Sequence, residues 1–337
     1  MSLDALVVGG GSFGTALATI LAGMDRRVRL WVRREEQADE INRGHTNQRY
    51  LPDFELPESL QATIDLQGSL SQCRVVLMSV PSRSFRSVAR QLGDHLRGDQ
   101  ILVHTTKGIE KDSFSRMSEI LRQETCVLKV GVLSGPNLAR ELMAGHPAGA
   151  LIASRYDEVI AAVQALFAQS RLRVYGGRDV TGTELGGAFK NIIALAAGVA
   201  DGLGFGDNTK SLLITRGLSE MARFGVARGA DVFTFGGLAG IGDLMATCAS
   251  PLSRNHKVGE QLAAGKPLEE ILSSMAQVAE GVPTTEAVYQ QCRRMGLDLP
   301  IVRAVHGMLF EGWSPQHALE TLMGLDVGRE LAALRFN

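Results

Sequence analysis

Lys190 is the only charged residue between Leu185 and Ala200. An amine held in an apolar helix favours its neutral form, which moves it toward the working range of a proton-transfer group. Asn191 adds an amide beside it. The same stretch also suits a lysine near a helix end whose ammonium reaches water along its own stem. Two other clusters suit an anionic ligand. Asp243 and Thr247, in GGLAGIGDLMATC, are four residues apart and share a helix face. An acid at a helix start is, however, common without any ligand. Ser253, Arg254 and Asn255, in SPLSRNHK, bring a hydroxyl, a guanidinium and an amide to an expected helix start, a good place for a phosphate. A capped helix start with a solvated basic edge has the same composition. Lys107, in TTKGIE, follows a strand end and is placed to meet a cofactor or an anionic substrate, although by itself it reads as an exposed loop lysine. No HExxH, GxSxG or EF-hand pattern occurs, so metal and serine-hydrolase chemistry find no support.

The elements that must position these residues fall into two halves. Ala5 to Val8 is a short apolar run, as expected of a central parallel strand. Gly9, Gly11 and Gly14 then fit G-x-G-x-x-G before a helical pattern, TALATILAGM. That order suits a dinucleotide: a tight turn, close approach to a pyrophosphate, and helix N–H groups facing the phosphates. The second strand, Arg27 to Val32, ends at Arg33 and Arg34, where an NAD-only site usually has an acid. A guanidinium there pairs with a 2′-phosphate, so NADP(H) should be accepted; the alternative is a solvated loop. Glu35 and Glu36 suit the first turn of the next helix.

Further strands are expected at Ala62 to Leu66, Arg74 to Val80, Ile101 to His104, Val127 to Leu133, Ala148 to Ala153 and Leu172 to Tyr175, with helices at Ser82 to Leu96 and Tyr156 to Gln169. Alternating strands and helices imply an α/β fold, a doubly wound, Rossmann-like, mostly parallel sheet. Ligands bind beyond the carboxyl ends of such strands, where Val80 to Ser82, Thr105 to Gly108 and Ser134 to Asn137 lie. After Gly176 and Gly177 the pattern turns helical, with Thr181 and Glu184 at capping-box spacing. Helices are expected at 183–200, 208–225, 241–249, 255–264, 267–275, 284–295, 301–311 and 314–323, and the last residues, GRELAALRFN, read as peripheral. The expected division is a dinucleotide-binding domain over 1–180 and an all-α substrate and catalytic domain over 181–337.

Composition bounds the partners. The 337 residues are 45% hydrophobic and 21% charged, with a formal net charge of −1. No basic or acidic block points to nucleic acid or a membrane surface. No stretch of about 18 purely apolar residues reads as a membrane span. Cys73, Cys126, Cys248 and Cys292 are scattered, without CxxC pairs, which suits reduced thiols and a cytoplasmic location. The buried helical half is compatible with a homodimer.

Taken together, GGGSFGTALA, LWVRREE, TTKGIE, SGPNLARE, ELGGAFKNIIALAAGVADGLGFGDNTK, GIGDLMATC and SPLSRN resemble, in order and spacing, the bacterial type of NAD(P)-dependent glycerol-3-phosphate dehydrogenase, over nearly the whole chain. Two positions depart from the family pattern: Phe189 stands where leucine is usual, and Asn137 where serine is usual. The resemblance implies reversible reduction of dihydroxyacetone phosphate to sn-glycerol 3-phosphate with NADP(H) or NAD(H), supplying phospholipid synthesis. It implies that Lys190 is the catalytic acid/base. Lys107, Asn191, Asp243 and Thr247 would surround the reacting oxygens, and Ser253, Arg254 and Asn255 would hold substrate. Arg254 would also reach the cofactor. Gly135, Asn137 and Ala139 would line the cleft from the sheet side. Ser12, Phe13, Arg33, Arg34, Tyr50, Lys107, Val278 and Glu280 would contact the dinucleotide. Two other classes share part of this pattern. Hydroxyacid dehydrogenases of the same architecture also use a lysine–asparagine pair, but SPLSRN with Lys107 suits a phosphomonoester better than a free carboxylate. A sensor that binds NADP(H) without turnover has no need of a charged Lys190 in an apolar helix.

Overall fold

The computed structural model describes residues 2–275 and 278–324. The expected peripheral tail, 328–337, lies outside them. The chain divides into two compact units. The first comprises 1–106 and 117–180; the second comprises 107–116 and the chain from Thr181 on. Segment 107–116 thus leaves the first unit and belongs with the helices.

The first unit is built on one eight-stranded sheet. Its strands are β1 (Ala5–Val8), β2 (Val28–Trp31), β3 (Gln61–Thr63), β4 (Val75–Met78), β5 (Ile101–His104), β6 (Val130–Ser134), β7 (Ala148–Ser154) and β8 (Leu172–Gly177), in the order β3-β2-β1-β4-β5-β6-β7-β8. Helices α1 (Ser12–Ala22), α2 (Glu35–Gly44), α3 (Leu66–Gln72), α4 (Ser82–Gly93), α5 (Met117–Glu124), α6 (Ala139–Met143) and α7 (Asp157–Phe167) connect them. The central strands β1, β4, β5 and β6 are buried on both faces because helices cover both. Ala5, Val7, Leu30 and Leu77 enter one core cluster, whereas Leu6, Val8, Trp31, Val76 and Met78 enter the other. The order reverses at β1, which pairs with both β2 and β4 in parallel. That is the position at which doubly wound sheets open a crevice beyond the strand ends.

One pairing is antiparallel: β6 with β7. The segment between them holds only the five-residue α6, too little helix to carry the chain across a face and back in parallel. α7 then returns β8 parallel to β7.

The second unit is helical: α8 (Val180–Gly202, whose first residue closes the sheet unit), α9 (Asp207–Ala227), α10 (Val232–Phe235), α11 (Asp243–Ala249), α12 (Arg254–Ala263), α13 (Leu268–Ser274), α14 (Gly281–Met295), α15 (Pro300–Phe310) and α16 (Pro315–Met323). From Gly182 to Ala200, α8 is buried on every side, as its uniformly apolar wheel requires. Its glycines permit backbone contact. A Cβ on Gly198 would lie 1.9 Å from His256 O, and one on Gly259 of α12 would lie 2.1 Å from Leu195 O. Two sequence expectations need correction here. The capping box does not form, because α8 begins at Val180 and Thr181 lies inside its first turn. The helix expected from 241 is preceded by a π turn, Leu238–Gly242, with non-helical backbone at Gly240.

Val232–Ala249 is apolar and long enough by composition to cross a membrane. The kink at Gly240 interrupts it, and Asp243 within it is buried against two lysines.

Candidate active site

In the helical unit, one carboxylate gathers two amines. α8 carries Lys190 inward, the π turn delivers Asp243 to the start of α11, and segment 107–116 brings Lys107. Asp243 Oδ1 lies 2.8 Å from Lys190 Nζ, and Oδ2 lies 2.6 Å from Lys107 Nζ. Side-chain exposure is 2% for Asp243, 8% for Lys190 and 21% for Lys107. Thr247, one turn after Asp243, donates to Asp243 O at 2.6 Å and accepts from Lys190 Nζ at 2.5 Å. The surroundings of Lys190 are therefore not the purely apolar ones expected: a carboxylate and a hydroxyl meet it. Two of its three N–H bonds are taken. Burial pushes the Lys107 ammonium down to about 8; Asp243 opposes that shift and Lys190 adds to it.

A second chain of contacts fixes the amides. Gly281 N–H donates to Asn255 Oδ1 at 2.9 Å, and Asn255 Nδ2 donates to Asn191 Oδ1 at 2.9 Å. A backbone N–H can only donate, so it sets the orientation of Asn255 and, through it, of Asn191. Asn191 Nδ2 donates to Gly187 O at 3.4 Å. Each amide keeps one N–H that no described residue takes. Gly281 was not singled out in the sequence, yet a Cβ there would lie 2.7 Å from Asn191 O.

At the start of α12, Ser253 is the N-cap; its Oγ accepts from His256 N–H. The capped-helix reading therefore describes Ser253. Arg254 is exposed, and its Nη1 donates to Val278 O at 2.7 Å, which joins two of the expected residues. Glu280 is the N-cap of α14. Behind these, His256 Nε2 lies 2.7 Å from Asp201 Oδ2, and Lys210 Nζ lies 2.9 Å from Asp201 Oδ1. Burial raises the Asp201 carboxyl, but Lys210 and His256 together hold it below its ordinary value. The GLGFGDN stretch is thus framed by the residues that tie the end of α8 to α12.

In the sheet unit the glycine turn separates into structural and open positions. Gly9 has φ 116°, and a Cβ there would lie 2.3 Å from Ser79 O; one on Gly14 would lie 2.0 Å from Gly9 O. A Cβ on Gly11 would meet no protein atom within 4 Å. Gly11 precedes α1 as its N-cap with no side-chain cap, which leaves the first N–H groups of the helix to an anion. Gln37 and Asn47 brace the turn by donating to Gly10 O at 2.6 and 3.1 Å; neither was foreseen. Ser12 Oγ donates to Tyr50 O at 3.0 Å, so these two expected residues meet. Phe13 packs partly buried on the sheet's core. Arg33 is exposed and Arg34 half-buried beyond β2, and neither side chain has a partner among the described residues. These features fit a dinucleotide with a 2′-phosphate. Gly135 has φ 136°. With its nitrogen facing the acceptors, the Asn137 amide donates to Gly149 O at 3.1 Å and Pro136 O at 3.2 Å, so it shapes its own loop. Ala139 begins α6, half-buried.

Comparison with known proteins points to one family. The profile of the N-terminal part of NAD-dependent glycerol-3-phosphate dehydrogenase matches residues 5–160, and that of its C-terminal part matches 179–320. A glycerol-3-phosphate dehydrogenase [NAD(P)+] of Teredinibacter turnerae is 46% identical over 97% of this chain and 95% of its own length. One of Saccharophagus degradans is 46% identical over 94% of this chain and 88% of its own. The crystal structure of glycerol-3-phosphate dehydrogenase from Coxiella burnetii superposes with a TM-score of 0.91 at 35% identity, covering 96% of this chain and 99% of that one.

Proposed function

We infer the reaction from one premise: the chain belongs to the NAD-dependent glycerol-3-phosphate dehydrogenase family. It is an NAD(P)-dependent oxidoreductase that interconverts dihydroxyacetone phosphate and sn-glycerol 3-phosphate, the latter for phospholipid synthesis. When bound, the nicotinamide supplies or takes the hydride at C2. The residues named here supply the rest, and their roles are our proposal.

Lys190 is the general acid in reduction. Its Nζ is buried and held by Asp243 Oδ1 and Thr247 Oγ1, and this single observation carries the assignment. With two of its three N–H bonds held, the third is the proton offered. In the reverse reaction the neutral amine takes the alcohol proton back. Lys107 has a complementary task. Two ammonium groups and one carboxylate leave a net positive charge before the transfer, which favours an anionic substrate. Once Lys190 has given up its proton, Lys107 still neutralises Asp243, so no bare carboxylate is left buried. Asn191 and Asn255 offer their free N–H bonds to substrate oxygens. Arg254 holds the phosphate with the N-terminus of α12. Gly9, Gly11 and Gly14 form the pyrophosphate turn, and Arg33 and Arg34 bind the 2′-phosphate. We also propose that the protein works in the cytoplasm, where its four free cysteines stay reduced, and as a homodimer.

The test is a spectrophotometric assay of NADPH oxidation with dihydroxyacetone phosphate against unphosphorylated dihydroxyacetone. The phosphorylated ketone should be preferred in kcat/KM by about a thousandfold or more, because remote binding energy is used in the transition state. Equal rates on both would overturn the assignment of the phosphate site.

A further inference from the structure

Lys107 reaches Asp243 only because segment 107–116 is held with the helical unit. The segment closes on itself. Ile109 and Arg116 form an antiparallel bridge, and Glu110 N–H donates to Ser115 O at 3.0 Å. Near its tip, Phe114 has φ 57°, a conformation that a non-glycine residue keeps only where its surroundings impose it. The Phe114 ring is buried edge-on to Phe224, with centroids 6.0 Å apart, and the Arg228 guanidinium lies 4.9 Å from its centre. On the returning arm, Arg116 Nη1 donates to Glu184 Oε2 at 2.6 Å. Glu184 is buried on α8, the helix that also carries Lys190.

We propose that Arg116 and Glu184 are positioning residues for Lys107: their ion pair pins the returning arm of a clasp to α8, so that Lys107 and Lys190 meet Asp243 in one fixed arrangement. A buried ion pair contributes little net stability against an apolar substitute, but breaking it by removing one partner is costly, so it favours one arrangement. The aromatic seat of Phe114 holds the tip, and the ion pair holds the arm. Lys107 lies at the opposite end of the segment from Arg116, and the Ile109–Arg116 bridge couples the two ends.

Whether Lys107 takes part in the reaction rests on the function proposed above; its placement does not. The test reads placement first. Acylation of Lys107 by a soluble active ester is followed by mass spectrometry in the wild type, R116A, E184Q and R116K, with the exposed Lys266 as internal reference. R116A and E184Q should raise the Lys107 rate by about tenfold or more as the arm opens locally, and R116K should stay near the wild type. If R116A does not fold, E184Q, of the same size, carries the comparison. An unchanged Lys107 rate overturns the proposal. Activity is then measured in a cycle with K107A. R116A should lower kcat/KM by about tenfold in the wild-type background and not at all with K107A, as expected when one residue acts through the other. Faster labelling with equal losses in both backgrounds would keep the clasp and remove Lys107 from the chemistry.

Discussion

Replacing Asp243 with alanine removes the carboxylate that the buried Lys190 and the half-buried Lys107 share. Its contacts, 2.6 Å to Lys107 and 2.8 Å to Lys190, are worth about 6 kcal/mol each at an effective dielectric near 20. Desolvation of three ionic groups and repulsion between the amines offset most of that. The net effect of breaking a buried pair is about 3–5 kcal/mol, because the remaining charge is left uncompensated. The deficit should depend on pH in a definite direction. Lys107 already loses its proton near pH 8 in the folded protein, below its ordinary value of 10.5. Without Asp243, which opposes that shift, the proton leaves at lower pH still. The variant's folded state therefore binds fewer protons than the wild type below pH 8, and its stability recovers relative to wild type as pH rises through that window. Urea unfolding followed by circular dichroism at pH 6 and pH 9 measures both. We expect a deficit of about 3–5 kcal/mol at the lower pH and a smaller one at the higher. A deficit under about 1 kcal/mol, or one that does not change with pH, would refute the shared-carboxylate account.

Three further expectations follow from the same geometry. G9A and G14A should lower the unfolding midpoint, since each Cβ would enter a backbone oxygen at 2.3 and 2.0 Å, whereas G11A should fold normally and bind NADPH weakly; normal NADPH affinity in G11A would remove Gly11 from the cofactor turn. R33A/R34A should weaken NADPH more than NADH by at least about tenfold, the loss of a charge-assisted phosphate contact, and equal losses in titrations would contradict the 2′-phosphate site. Burial raises Glu220 to about 7, although its carboxylate accepts from Ile301 and Val302 N–H at the start of α15. The folded state therefore binds the extra proton between pH 4.5 and 7. This residue should remove about 3 kcal/mol of stability as pH rises through that range, and E220Q should flatten the curve; an unaltered pH dependence would show that Glu220 does not titrate there.

How much of this was legible in the sequence differs by residue. The β1 strand and the glycine turn were readable because a short apolar run, a fixed glycine spacing and a helix follow one another locally. The burial of α8 was readable from its wheel. The partners of Lys190 were grouped with it only through the family resemblance, because Asp243 is 53 positions away and reaches it through a π turn that no periodicity marks. Lys107 stood at a strand end where ligands bind, and only the family resemblance grouped it with Asp243, since nothing local shows that ten residues leave one compact unit for another. Glu184 fitted a capping box by spacing, yet its carboxylate meets Arg116, 68 positions earlier. The antiparallel β7 was hidden because strand composition does not encode direction. Ser253 was ambiguous for a physical reason: a helix N-cap and a phosphate site ask for the same side chains.

The most direct test of the account is the pre-steady-state rate of NADPH oxidation by K190A with saturating dihydroxyacetone phosphate, alongside its NADPH dissociation constant. The rate should fall by about 10²–10⁴, the contribution of a positioned general acid, with the dissociation constant within about threefold of wild type and partial recovery on adding a small primary amine. A rate within tenfold of wild type, with no response to the amine, would show that the proton comes from elsewhere.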